Sequence, residues 1–91
     1  MSEKKVTLYT WPHCPFCIRA KRLLRDLNIS FQDHNIFGQQ EEKNRLIEKT
    51  GQTTVPYIFF GDLFIGGSDE LVALYKQGKI ESLLAENEIT K

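Results

Sequence analysis

Cys14 and Cys17 are the residues of this 91-residue chain whose type and spacing carry the most specific chemistry. They stand in Trp11-Pro12-His13-Cys14-Pro15-Phe16-Cys17, two residues between them, where an apolar strand gives way to a helix. Pro15 suits the first helical position, because its missing N–H costs nothing there and its fixed φ is already helical. Cys14 is therefore placed at the helix N-terminus, beside unsatisfied N–H groups and the positive end of the macrodipole. A thiol in that setting is favoured as its thiolate, which is the nucleophile. Cys17 follows one turn inside, close enough to join Cys14 in a disulfide. The pair is built for reversible redox chemistry.

Two other uses of the spacing fit less well. Structural zinc takes four ligands, and the chain offers no second cysteine pair, only His13 and His34. A stabilising disulfide gains most by closing a long loop, and this one spans two residues.

The elements that must position the thiols follow from periodicity. Val6-Thr7-Leu8-Tyr9 alternates and is β-branched or aromatic, which predicts a half-buried strand. Ala20, Leu23, Leu24 and Leu27 recur at helical spacing among Arg19, Lys21, Arg22 and Arg25, which predicts an amphipathic helix ended at Asn28. Residues 29–36 read as a second strand, and residues 39–49 as a short, weakly anchored helix ended by Gly51. A strand–helix–strand unit of this kind places its strands parallel, with the helix packed on the sheet. Tyr57-Ile58-Phe59-Phe60, Gly61-Asp62 and Leu63-Phe64-Ile65 read as an antiparallel hairpin whose second strand is the sheet edge. Gly66-Gly67 breaks that strand. Ser68 is the expected N-cap of the next helix, with Asp69 and Glu70 in its first turn and Gly78 after its end. A last helix is expected over about 79–86, and the polar residues beyond it are expected to fray. The predicted order is β-α-β-α-β-β-α-α.

Composition bounds the function. The chain is expected to be one domain over residues 1–91, with 41% hydrophobic residues and a formal charge of zero. That charge gives no electrostatic reason to expect nucleic acid or an anionic membrane as partner. Met-Ser-Glu-Lys-Lys lacks the apolar run of a secretory signal, and no stretch approaches membrane-span length. Two cysteines without an export signal point to a reducing, cytoplasmic setting and a catalytic pair.

The residues then resemble a known family. Cys14-Pro15-Phe16-Cys17, Thr54-Val55-Pro56 and Gly66-Gly67-Ser68-Asp69 stand where glutaredoxins carry C-P-[YF]-C, T-V-P and G-G-x-D. The match runs from about Lys5 to Leu84. With both cysteines present, the chain resembles the dithiol branch rather than the monothiol, iron–sulfur-handling branch with its C-G-F-S. The resemblance implies an α/β, thioredoxin-like fold of the glutaredoxin type: a four-stranded mixed sheet with helices on both faces. It also implies a glutathione-dependent thiol–disulfide oxidoreductase, acting on glutathione mixed disulfides and protein disulfides through a Cys14/Cys17 redox pair.

The resemblance assigns further roles. Pro56 is implied to be cis and near the sulfurs, leaving the Val55 N–H and C=O free to pair with the cysteinyl part of glutathione. Phe16 and Thr54 flank that site, Phe16 replacing the more usual tyrosine. Gly67, Ser68 and Asp69 are implied to hold the γ-glutamyl end, a helix N-terminus suiting its carboxylate and Asp69 its ammonium. Lys43 is the implied partner of the glycyl carboxylate. The chain departs from the family at Trp11, where many glutaredoxins have a lysine; the ring can instead pack on the ligand or on Phe16. Glutathione is then a co-substrate and no cofactor is tightly bound. The expected partners are glutathione and glutathionylated or disulfide-bonded client proteins, the chain itself acting as a monomer. Two rivals stand beside this reading: an electron donor fed by thioredoxin reductase, and a module in which Cys14 of two chains and two glutathiones hold a [2Fe–2S] cluster. Pro15 argues against the second.

Overall fold

Val6, Leu8 and Thr10 alternate with Thr7 and Tyr9, so the first strand, β1 (Val6–Thr10), buries one face completely and the other in part. In the computed structural model, which describes residues 4–89, seven further elements follow. They are α1 (Pro15–Asp26), β2 (Phe31–Asn35), α2 (Gln40–Thr50), β3 (Tyr57–Phe60), β4 (Leu63–Gly66), α3 (Ser68–Lys76) and α4 (Ile80–Glu86). The strands form one mixed sheet in the order β2-β1-β3-β4. β1 runs parallel to β2, with Leu8 opposite Asp33, and antiparallel to β3, with Leu8 opposite Ile58. The crossover and the hairpin read from the sequence are both present, and β4 is an edge.

Each face of the sheet has its own core. Val6, Leu8, Ile58 and Phe60 pack with Ala20 and Leu24 of α1, Leu71 of α3, and Ile80 and Leu84 of α4. Burying a leucine such as Leu24 contributes roughly 1.5–3 kcal/mol, so this face supplies most of the stabilisation. On the opposite face Tyr57 and Phe59 pack with Ile36 and Leu46, and α2 is the helix that covers them. α2 buries Leu46 alone, which matches its expected weak anchoring.

The turns obey local chemistry. Asn28 takes a positive φ of 59°, and Ile29 N–H donates to the Leu24 carbonyl at 2.9 Å, closing α1. Gly61, at φ 64°, opens the β3–β4 hairpin. The β3–β4 pairing then slips, Phe59 facing Phe64 but Ile58 facing Gly66, so Ile65 is the extra residue of a bulge. Gly66 has φ 123°, and a Cβ there would meet Glu70 Cγ at 2.8 Å, so the bend into α3 needs glycine.

Three expectations change. The N-cap of α3 is Gly67, not Ser68, because the Glu70 carboxylate reaches back to accept the Gly67 N–H at 2.7 Å. β2 is shorter than residues 29–36, since Ile29 is spent on closing α1 and Ile36 on the opposite core. Ile89 does not fray: it is buried and donates its N–H to the Leu84 carbonyl. Residues 90 and 91, to which the fraying expectation also applied, lie outside the described residues.

Candidate active site

The site grows from the first turn of α1. His13 adopts a positive φ of 61°, turning the chain out of β1, and Cys14 caps the helix in an extended conformation. The Cys14 carbonyl accepts the Ile18 N–H at 2.9 Å, while its side chain makes no capping hydrogen bond. Pro15 stands in the first turn, as its chemistry predicts. The thiols are both free and differ in setting: Cys14 is half-buried and Cys17 fully buried. Burial pushes the Cys17 thiol up to about 12; the Trp11 backbone N–H acts against this, the adjacent Cys14 thiol adds to it, and the Lys21 charge opposes it. The outer sulfur is thus reachable by a substrate, and the inner one is a protonated reserve within hydrogen-bond reach of it.

The second wall is the loop before β3. The Val55–Pro56 peptide bond is cis and Pro56 is buried. Gln52 fastens this loop, its Nε2 donating to the Thr54 carbonyl at 2.7 Å and to the Pro56 carbonyl at 2.9 Å. The Tyr57 hydroxyl donates to the Gln52 carbonyl at 2.6 Å. Between these fixed points the Val55 N–H and C=O have no hydrogen-bond partner among the described residues. A half-buried backbone pair left open in this way is a ready place for another extended chain.

The third wall is the start of α3, and it joins both others. A Cβ on Gly67 would stand 3.6 Å from the Pro56 carbonyl oxygen and 3.7 Å from Gln52 Nε2, so the two loops are neighbours. On the other side Arg19 of α1 donates from Nε to Ser68 Oγ at 2.6 Å and forms an ion pair with Asp69. Ser68 is buried and Asp69 exposed. Arg19 also lies 5.8 Å over the exposed Phe16 ring. Trp11 does not turn to Phe16. Its ring meets Phe37 edge-on, and Lys43 of α2 lies over its face at 4.6 Å.

The structure therefore gathers Cys14 with Cys17, Phe16 with Ser68 and Asp69 through Arg19, Gly67 with Pro56, and Lys43 with Trp11. Arg19 and Gln52 are the positioning residues that sequence reasoning missed. Arg19 carries no signal of its own, because its partners lie about fifty positions away in the chain.

A thiol pair at a helix N-terminus, a cis-proline loop joined to that helix through the start of α3 and a β2-β1-β3-β4 sheet define a thioredoxin-like thiol–disulfide oxidoreductase. The sequence profile named Glutaredoxin matches residues 6–65. A glutaredoxin of Pseudomonas aeruginosa is 44% identical over 80 residues, covering 88% of this chain and 95% of that one. The solution structure of glutaredoxin from Brucella melitensis superposes with a TM-score of 0.80 at 39% identity, over 92% of this chain and 91% of that one. A buckwheat glutaredoxin–glutathione complex superposes with a TM-score of 0.88 at 27% identity, over 96% and 83%. The chain belongs to the glutaredoxin family.

Proposed function

We propose that this chain is a glutathione-dependent reductase of mixed and protein disulfides, acting as a single-domain monomer in the cytoplasm. The observation that carries the reading is the open backbone pair of Val55 beside Gly67, Ser68 and Asp69. An extended tripeptide fits such a groove. Its cysteinyl N–H and C=O pair with Val55, flanked by Thr54, Pro56 and Phe16. Its γ-glutamyl end lies against Gly67, Ser68 and Asp69, and its glycyl carboxylate reaches Lys43. The buckwheat neighbour is a complex with glutathione, which supports glutathione as the ligand class.

The chemistry follows. The Cys14 thiolate attacks the sulfur of a glutathione mixed disulfide, releases the client thiol and keeps the glutathionyl group. A second glutathione, as thiolate, attacks that group, giving glutathione disulfide and reduced enzyme. With a protein disulfide, Cys17 displaces the client instead, and two glutathiones reduce the Cys14–Cys17 disulfide. No tightly bound cofactor enters either route. Glutaredoxin couples lie at roughly −200 to −230 mV, near the cellular glutathione poise, so both routes run toward reduced clients.

The test couples NADPH oxidation to glutathione, glutathione reductase and a small mixed disulfide. Turnover that saturates in the mixed disulfide and needs Cys14 is the expected result. Turnover with thioredoxin reductase in place of glutathione would assign the chain to the rival class.

A further inference from the structure

Lys21 has a place in the structure that neither substrate binding nor core packing explains. It lies four residues, one helical turn, beyond Cys17 on the face of α1 that meets the sheet. Its Nζ donates to Asp33 Oδ2 of β2 at 2.9 Å, and Thr10 of β1 donates its hydroxyl to Asp33 Oδ1 at 2.5 Å. Thr10 is buried, and the Lys21 and Asp33 side chains are only 20% and 29% exposed. A long, flexible ammonium is thus held at one point, one helical turn beyond a buried sulfur that its charge reaches.

We propose that Lys21, anchored by Asp33 and Thr10, is a positioning residue for the resolving half-reaction, its ammonium stabilising the Cys17 thiolate that displaces a client from Cys14. In that step Cys17 gives its proton to water and its sulfur attacks the Cys14 sulfur. The Cys14–Cys17 bond forms, the Cys14–client S–S bond breaks, and the client leaves as a thiolate that takes up a proton. The two electrons the client gains come from the two enzyme thiols. The inference rests on the dithiol route above and holds whichever reductant later reopens the disulfide.

Among the described residues, Lys21 is the cation whose charge acts on Cys17. Burial is the main force keeping Cys17 protonated, and its two opponents are the Trp11 N–H and Lys21. Once Cys14 is tied up in a mixed disulfide, its thiol no longer works against Cys17. β1 and β3 present the apolar Leu8, Ile58 and Phe60 to this face, and Thr10, whose hydroxyl is given to Asp33. α3 presents Ser68 and Asp69, both engaged by Arg19. Asp33 has its charge met by Lys21.

The experiment uses the full chain and an aromatic disulfide reagent, whose first coloured thiolate leaves when Cys14 is modified and whose second leaves when Cys17 attacks. The rate of the second release is followed by stopped flow from about pH 6 to about pH 9. Lys21→Met is expected to slow it about tenfold at every pH, displacing the profile by about one pH unit, as expected for loss of a nearby opposite charge. Lys21→Gln, which keeps a donor for Asp33 without the charge, is expected to show the same displacement, and Lys21→Arg to stay within about twofold of the parent. Parent-like profiles for Lys21→Met or Lys21→Gln would overturn the proposal. So would a Lys21→Arg profile displaced as far as that of Lys21→Gln, which would mean shape rather than charge.

Discussion

The ammonium of Lys43 stands 4.6 Å from the centre of the Trp11 ring, so α2 delivers its cation to the edge of the active site against an aromatic wall. A cation over an exposed ring is worth about 0.5–1 kcal/mol, which is a two- to five-fold effect on an equilibrium. Trp11→Ala and Lys43→Gln are each expected to raise KM for a glutathione mixed disulfide by about that factor, with kcat little changed. Because the two act together, Trp11→Ala should add little in the Lys43→Gln background. Fully additive effects would show that the pair does not act as a unit.

Asp69 is expected to matter for binding far more than for folding. Its ion pair with Arg19 is exposed, and pairs of that kind contribute only about 0–1 kcal/mol. Asp69→Ala should therefore leave Tm nearly unchanged while raising KM for glutathione-dependent turnover about tenfold, on the scale of one lost charge-assisted contact. An unchanged KM in the folded variant would remove Asp69 from the glutathione site.

The two cysteines are expected to separate by substrate. Cys14→Ser abolishes deglutathionylation and protein-disulfide reduction alike, because it removes the accessible sulfur. Cys17→Ser keeps much of the first, since a second glutathione releases the first one, and loses most of the second. Both assays on both folded variants decide the matter. Equal loss of deglutathionylation in the two variants would reverse the assignment.

Alkaline stability reads the inner thiol directly. Folded, Cys17 keeps its proton up to about 12, whereas in the unfolded chain it titrates near its ordinary 9.0. Between those values the unfolded state binds fewer protons, so stability falls as pH rises, by up to about 1.4 kcal/mol per pH unit for this one group. Below about pH 9 the contribution is flat. Urea unfolding of the reduced protein should show this slope in the parent and lose it in Cys17→Ala. Burial raises the Tyr57 hydroxyl as well and adds a slope of the same sign, common to both proteins. Parallel curves would contradict the inner thiol's protonated state.

What was legible in the sequence was mostly local. The thiol spacing, Pro15 at the start of α1, Gly61 in the hairpin and Asn28 after α1 are each dictated by backbone chemistry within a few residues, and each stands where it was read. The N-cap of α3 was missed because Glu70 outbids a serine hydroxyl by reaching back to Gly67. Ile89 was read as part of a polar tail because its burial depends on the α4 turn placing it over the first core. Arg19, Lys21 and Gln52 carry no signature at all on their own. Their roles arise when α1 meets α3, when α1 meets β2, and when a loop folds back on its own carbonyls. Trp11 was recognised as a departure, but its partners, Phe37 and Lys43, come from the β2–α2 loop and α2.

The order β2-β1-β3-β4 also decides how the sheet meets other chains. β2, one rim, carries Gln32, Asp33, His34 and Asn35, all polar. β4, the other, has four residues and a bulge at Ile65 that breaks its row of backbone donors and acceptors. A polar rim and a short, kinked one both make poor templates for a foreign strand. The apolar β3, the strand best suited to seed a fibril, is shielded between β1 and β4. A thiol–disulfide oxidoreductase with rims of this kind can meet exposed strands of other chains without being drawn into their aggregates.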